Sequence, residues 1–247
     1  MFDREVNYPI AVASYDDEGV RAAISWCLEQ RTEAEALTVW TPLKANLEYC
    51  PSLSRLVARY SDVEHITGRG TPVLRRRGPV LMAWPDMKDI GKLTQFTNGR
   101  LAALCVLSSD DEGIRPWVKA ARPVLLSGTS VWEEVALPLD PVVVEALKGL
   151  TLTVNHNNTI SAGYEKDMVV SVLLALHDAG LALDGDVTQG WALAHGWAGD
   201  NPGQLAKYIE AINQGKRPRC RRILSADYVD SLRRRVADAA ADDSRPA

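Results

Sequence analysis

One eight-residue phrase occurs twice in this chain. Ser14-Tyr15-Asp16-Asp17-Glu18-Gly19-Val20-Arg21 returns as Ser108-Ser109-Asp110-Asp111-Glu112-Gly113-Ile114-Arg115. Each copy comes after a short apolar run, Ile10–Ala13 in the first case and Ala102–Leu107 in the second. A buried strand that ends in acids and then opens a helix is the βα unit of a parallel sheet. Finding it twice directs the first half of the chain to an α/β fold.

The rest of that half keeps the same rhythm. Strands are expected at Ile10–Ala13, Ala36–Trp40, Pro79–Trp84, Leu101–Leu107 and Pro123–Leu126. These are near-continuous apolar runs, as burial on both faces of a sheet requires. Helices are expected between them at Asp17–Gln30, Leu53–Tyr60, Asp86–Phe96 and Glu112–Ala120, the first with Val20, Ala23, Ile24 and Cys27 along one face. The segment Arg69–Gly78 breaks the pattern and reads as an exposed loop or an extra hairpin. The expected architecture is a Rossmann-like, doubly wound, mainly parallel sheet over residues 1–135, then a small helical domain over 136–247.

In the second part, Pro138-Leu139-Asp140-Pro141 reads as a linker. Leu150–Val154 and Thr159–Ser161 flank Asn155-His156-Asn157-Asn158, which predicts a small β-hairpin near 150–161. Four helices are expected after it, at Glu165–Ala179, Val187–His195, Asn201–Gln214 and from Ser225 onward. They are punctuated by Gly180, Gly196, Gly215 and by Pro202 at a first helical position.

Composition narrows the function classes. The 247 residues are 46% hydrophobic and 24% charged with a formal net charge of −4, which excludes a generally basic surface but leaves room for a local basic patch. No apolar run approaches the ~18 residues a membrane span needs. The acids near Met1 are unlike a secretory leader, and Cys27, Cys50, Cys105 and Cys220 lack zinc or disulfide spacing. A reduced cytoplasmic protein with no membrane association is expected. The glycine-rich phosphate loops of dinucleotide and P-loop sites are missing, as is the G-x-S-x-G elbow of hydrolases. The histidines show no metal-binding spacing.

Candidate sites are set by topology. Ligands of open parallel sheets bind beyond the carboxyl ends of the strands. At that rim Trp40, Thr41, Lys44 and Trp84 are candidate ligand contacts, the two indoles offering surfaces on which a flat ring stacks. Asp16, Asp86 and Asp110 are candidate ligands for Mg²⁺ or Mn²⁺. Helix capping accounts for the same acids, because Asp at an N-cap satisfies free N–H groups and favours the helix dipole. Lys216, Arg217, Arg219, Arg221 and Arg222 pack five cations into seven residues and form a candidate nucleic-acid contact. Arg75–Arg77 and Arg233–Arg235 are further basic runs.

The function that fits best is a non-catalytic module binding a nucleotide-like ligand or a nucleic acid. Two other classes also fit. One is a protein-interaction or structural component with a protein partner. The other is a metal-dependent phosphoryl-transfer or phosphodiester-cleaving enzyme.

Overall fold

The computed structural model of the protein describes residues 6–97, 99–108, 112–127, 139–155, 158–221 and 223–243. Strands are β1 (Ile10–Ser14), β2 (Leu37–Thr41), β3 (Val63–Thr67), β4 (Gly78–Ala83), β5 (Leu101–Ser108) and β6 (Val124–Leu125). Helices of the same half are α1 (Asp17–Glu29), α2 (Pro51–Arg59), α3 (Met87–Phe96) and α4 (Arg115–Ala121). The strands form one six-stranded sheet in the order β3-β2-β4-β5-β1-β6, and every pairing is parallel. The α/β sheet read from the sequence is present, with helices after it.

Connections that run opposite ways along a parallel sheet must leave by opposite faces, because βαβ crossovers are right-handed. The packing obeys this. α1 and α2, on the β1→β2 and β2→β3 connections, bury Val20, Ala23, Cys27, Leu53 and Leu56 against Ala11, Ala13, Val39, Leu81 and Cys105. α3 and α4, on the β4→β5 and β5→β6 connections, bury Ile90, Leu93 and Trp117 against Val12, Trp40, Met82 and Val106 on the other face. Neighbouring strands β2 and β4 therefore exit to different faces, and so do β5 and β1.

Two elements depart from expectation. β3 is absent from the expected strands: Val63-Glu64-His65-Ile66-Thr67 pairs only with β2, at the edge of the sheet. His65 lies within it. The first arm of the expected hairpin near 150–161 is helix instead of strand. α5 (Pro141–Thr153) runs through Leu150–Thr153, with Asp140 as N-cap accepting from the Val142 N–H at 2.7 Å. Its Val143, Ala146, Leu147 and Leu150 are buried at helical spacing. Thr151 and Thr153 return their hydroxyls to the carbonyls of Leu147 and Gly149 at 2.8 and 3.1 Å, so Thr-rich sequence sits comfortably in a helix.

After α5 come α6 (Gly163–Asp178), α7 (Gly185–Ala194), α8 (Asn201–Asn213) and α9 (Tyr228–Asp243). They share a core of Leu147, Val169, Leu173, Trp191, Trp197, Leu205, Ile209 and Leu232. α7 also docks on α3 and α4, contributing Leu193 and Ala194 to the sheet-side core. The approach is close: a Cβ on Gly190 would stand 2.4 Å from the Pro116 carbonyl carbon and 2.5 Å from the Trp117 nitrogen. The Gly199 N–H also donates to the Gly91 carbonyl at 2.7 Å. The boundary expected at 135/136 falls outside the described residues.

Candidate functional site

At the carboxyl rim the first copy of the repeated phrase is a tightly bonded cap. Asp16 Oδ1 accepts from the backbone N–H of Gly19 at 2.7 Å and of Glu18 at 2.9 Å, and Oδ2 accepts from the Ser14 hydroxyl at 2.6 Å. Those bonds, the Gly19 N–H foremost, hold the Asp16 carboxyl below the usual carboxylate range. Gly19 is required here, since a Cβ would stand 2.1 Å from the Ser14 carbonyl oxygen. Ser127, beyond β6, donates its hydroxyl to Glu18 and accepts from the Ser14 N–H through its carbonyl.

The second copy is built differently. Asp110 lies outside the described residues. Glu112–Ile114 forms a short 3₁₀ turn, and α4 then opens at Arg115 with no side-chain cap. A Cβ added at Gly113 would meet nothing within 4 Å. The repeat is one of sequence more than of local structure.

The metal candidates are not drawn together. Asp86 caps α3, accepting from the Asp89 N–H at 2.7 Å, while Asp16 caps α1 on the opposite face. Their strands, β4 and β1, are separated by β5, so about 10 Å of sheet lies between them. Among the described residues no group of three His, Cys, Asp or Glu side chains is arranged to hold a metal ion. Asp89, half-buried beside Asp86, has its carboxyl raised by desolvation and then by the Asp86 charge.

The two indoles are likewise apart. Trp40 is 1% exposed, within the cluster of Val80, Met82 and Leu104. Trp84 packs on the other face, edge-on to Tyr15 with ring centroids 4.7 Å apart. A ligand ring cannot lie between them. Trp84 is one of two non-glycine residues described with positive φ, at 56°, and is held there by its N–H donating to the Leu107 carbonyl at 2.9 Å. Thr41 is fully buried with its hydroxyl committed. It donates to the Leu43 carbonyl at 2.8 Å and so accepts from His65 Nε2, also at 2.8 Å. Burial, with a smaller contribution from the exposed Lys44, keeps the His65 imidazole below its ordinary value.

The basic segment holds more promise. Gly215, at φ 78°, ends α8, with the Lys216 N–H donating to the Ala211 carbonyl at 2.9 Å. From there the chain runs beside α6. Arg217 is committed: both guanidinium ends bond Asp178, at 2.9 and 2.6 Å. Lys216 Nζ bonds Gln214 Oε1 at 3.0 Å. Arg219 and Arg221 form no ion pair among the described residues, and Arg221 is exposed. Arg222 lies outside them. The later run is paired, Arg233 with Asp230, Arg234 with Asp227 and Arg235 with Glu145.

Arg221 borders a cavity of about 670 Å³ at the start of α6, lined also by Ser161, Gly163, Tyr164, Lys166, Asp167 and Ile223. Gly163, at φ 75°, opens the helix there, and its N-cap Ala162 supplies no side-chain bond to the first-turn amides. Glu165 is drawn off by Asn158, whose Nδ2 donates to it at 3.0 Å and lowers its carboxyl. Tyr164 is 58% exposed. The volume lies in the ordinary range for small-molecule sites.

Sequence reasoning finds Arg221 but not Ser161, Tyr164 or Lys166. The expected helix begins at Glu165, two residues late, so Gly163 and Tyr164 do not register as its open end. No helix of the described residues is long and apolar enough to cross a membrane. No curated protein and no solved structure matches the chain. Residues 139–233, less than half of it, are similar to a family described as a domain of unknown function, DUF1889, and this stretch contains the cavity and the basic segment.

Proposed function

We propose that this protein is a non-catalytic module that binds a phosphate-bearing, ring-containing ligand of the nucleotide kind, in the cavity at the start of α6. The carrying observation is the combination on its walls. Lys166 and Arg221 supply positive charge, the first turn of α6 has no side-chain bond from its N-cap Ala162, and Tyr164 supplies an exposed ring. Free helix N–H groups and the positive end of the dipole favour an anion. An exposed aromatic beside cations takes a base by stacking while the cations take its phosphate. Asp167 in the wall and Glu165 in the first turn of α6 oppose this by two charges. Arg219 lies two residues from Arg221 along the same segment.

The test is fluorescence anisotropy of a short labelled single-stranded oligonucleotide, with a mononucleotide and inorganic phosphate as competitors. Binding should weaken with salt at a slope of about −0.7 per phosphate engaged. Each of K166A and R221A should weaken it about tenfold or more, the scale of one charge-assisted contact. Y164A should reduce oligonucleotide and mononucleotide binding while sparing phosphate. Effective competition by the mononucleotide identifies it as the natural size of ligand; competition only by longer strands identifies nucleic acid. Affinity unchanged in both charge variants overturns the proposal.

A further inference from the structure

Resting on that reading of the cavity, we infer that residues 217–221 form a strap laid antiparallel along α6 and fixed at both ends. Ser171 and Asp178 are then positioning residues that aim Arg221 at the ligand's phosphates. The strap's first anchor is the two-pronged pair between Arg217 and Asp178, the last residue of α6. Such fork-to-carboxylate geometry is the kind of exposed ion pair that does hold position, and a cation at a helix C-terminus is favoured besides. Its second anchor lies mid-helix, where the Ser171 hydroxyl donates to the Arg221 carbonyl at 2.9 Å. Ser171 is 8% exposed, so this bond is partly shielded from water.

The spans match. From position 178 to 171 a helix rises about 10 Å, and four residues of extended chain reach about 13 Å. The chain therefore bridges its two anchors with about 3 Å to spare, and it is the bonds at both ends, rather than tension, that limit how far Arg221 wanders. Pro218 fixes one φ within it, and Gly215 with the Lys216-to-Ala211 bond sets the direction in which it leaves α8. Cys220 is turned to α6 and packs on the helical core, between Arg219 and the exposed Arg221. Neither Ser171 nor Asp178 lines the cavity.

The experiment measures oligonucleotide affinity and its salt slope for S171A, S171T, D178N and R221A, with thermal midpoints alongside. S171A removes no charge, yet it should weaken binding several-fold and flatten the salt slope by about 0.7, the loss of one phosphate contact. S171T, which keeps the hydroxyl, should restore both. For D178N, on a half-exposed residue, charge alone argues for tighter anion binding, since Arg217 would be freed; a strap requires weaker binding instead. If R221A weakens binding while S171A leaves affinity and slope at wild-type values, or D178N tightens binding, the strap is refuted and the cavity reading stands. If R221A itself has no effect, the strap is refuted, and if K166A is silent as well the cavity reading falls with it.

Discussion

Asp16 shows what one side chain does at the rim of a parallel sheet. It closes the first turn of α1 and ties Ser14 to it, and its charged form is favoured by every one of those bonds. A carboxyl whose folded-state pKa is depressed contributes stability that is complete above the unfolded-state value. That stability is lost as pH falls through the lowered one. D16N, which keeps a capping oxygen but not the charge, should therefore melt below wild type near neutral pH. The gap should close as pH falls through and below the ordinary aspartate value of about 3.9; a gap independent of pH would show that charge is irrelevant there. This role is legible in the sequence, because an acid between an apolar run and a helical pattern has few other uses. That of Tyr164 is not. An exposed tyrosine gains meaning only from the cations beside it, and Arg221 comes from a segment far along the chain.

At the level of elements, legibility tracks burial. β1, β2, β4 and β5 are covered on both faces, so their sequences are apolar throughout and announce themselves. β3 lies at the edge with mostly half-buried residues, and Glu64 and His65 interrupt its run. α5 is hidden by Val, Thr and a proline, residues that suit strands and linkers in isolation. Packing against α6 and α9 overrides that local preference. The joint made by α7 is invisible for a related reason, since Gly190 looks like any glycine until Pro116 and Trp117 are placed against it. G190A should force α7 off α4 and cost about 1–3 kcal/mol, the scale of an overpacked core, read as a lower urea midpoint. G149A, on α5, is the matched comparison. Nothing lies within 4 Å of its added Cβ, and it should leave stability unchanged or raise it by about 0.5–1 kcal/mol. Equal midpoints for the two variants would show that the close approach at Gly190 carries no weight.

For the molecule as a whole, the same helix belongs to two cores. α7 places Trp191 with the helices and Leu193 and Ala194 with the sheet. The sheet layer cannot lose its α3–α4 face without stripping α7, nor can the helices melt without uncovering that face. Thermal unfolding monitored by far-UV circular dichroism and by tryptophan fluorescence should give one coincident transition. Trp40 and Trp117 report the sheet layer and Trp191 and Trp197 the helices. Two separated transitions would mean that the halves are thermally independent.

The strand order also sets a timetable. Among the described strands β1 pairs with β5 and β6 alone, Ile10 lying opposite Leu104, so once synthesised it has no partner until Leu101–Ser108 has been made. At about 5–20 residues per second, a nascent apolar segment waits on the order of several seconds before its sheet can close. Slowing translation ahead of codon 101, or depleting the chaperones that shield emerging chains, should therefore lower the yield of this protein more than that of one whose first strand pairs with its second.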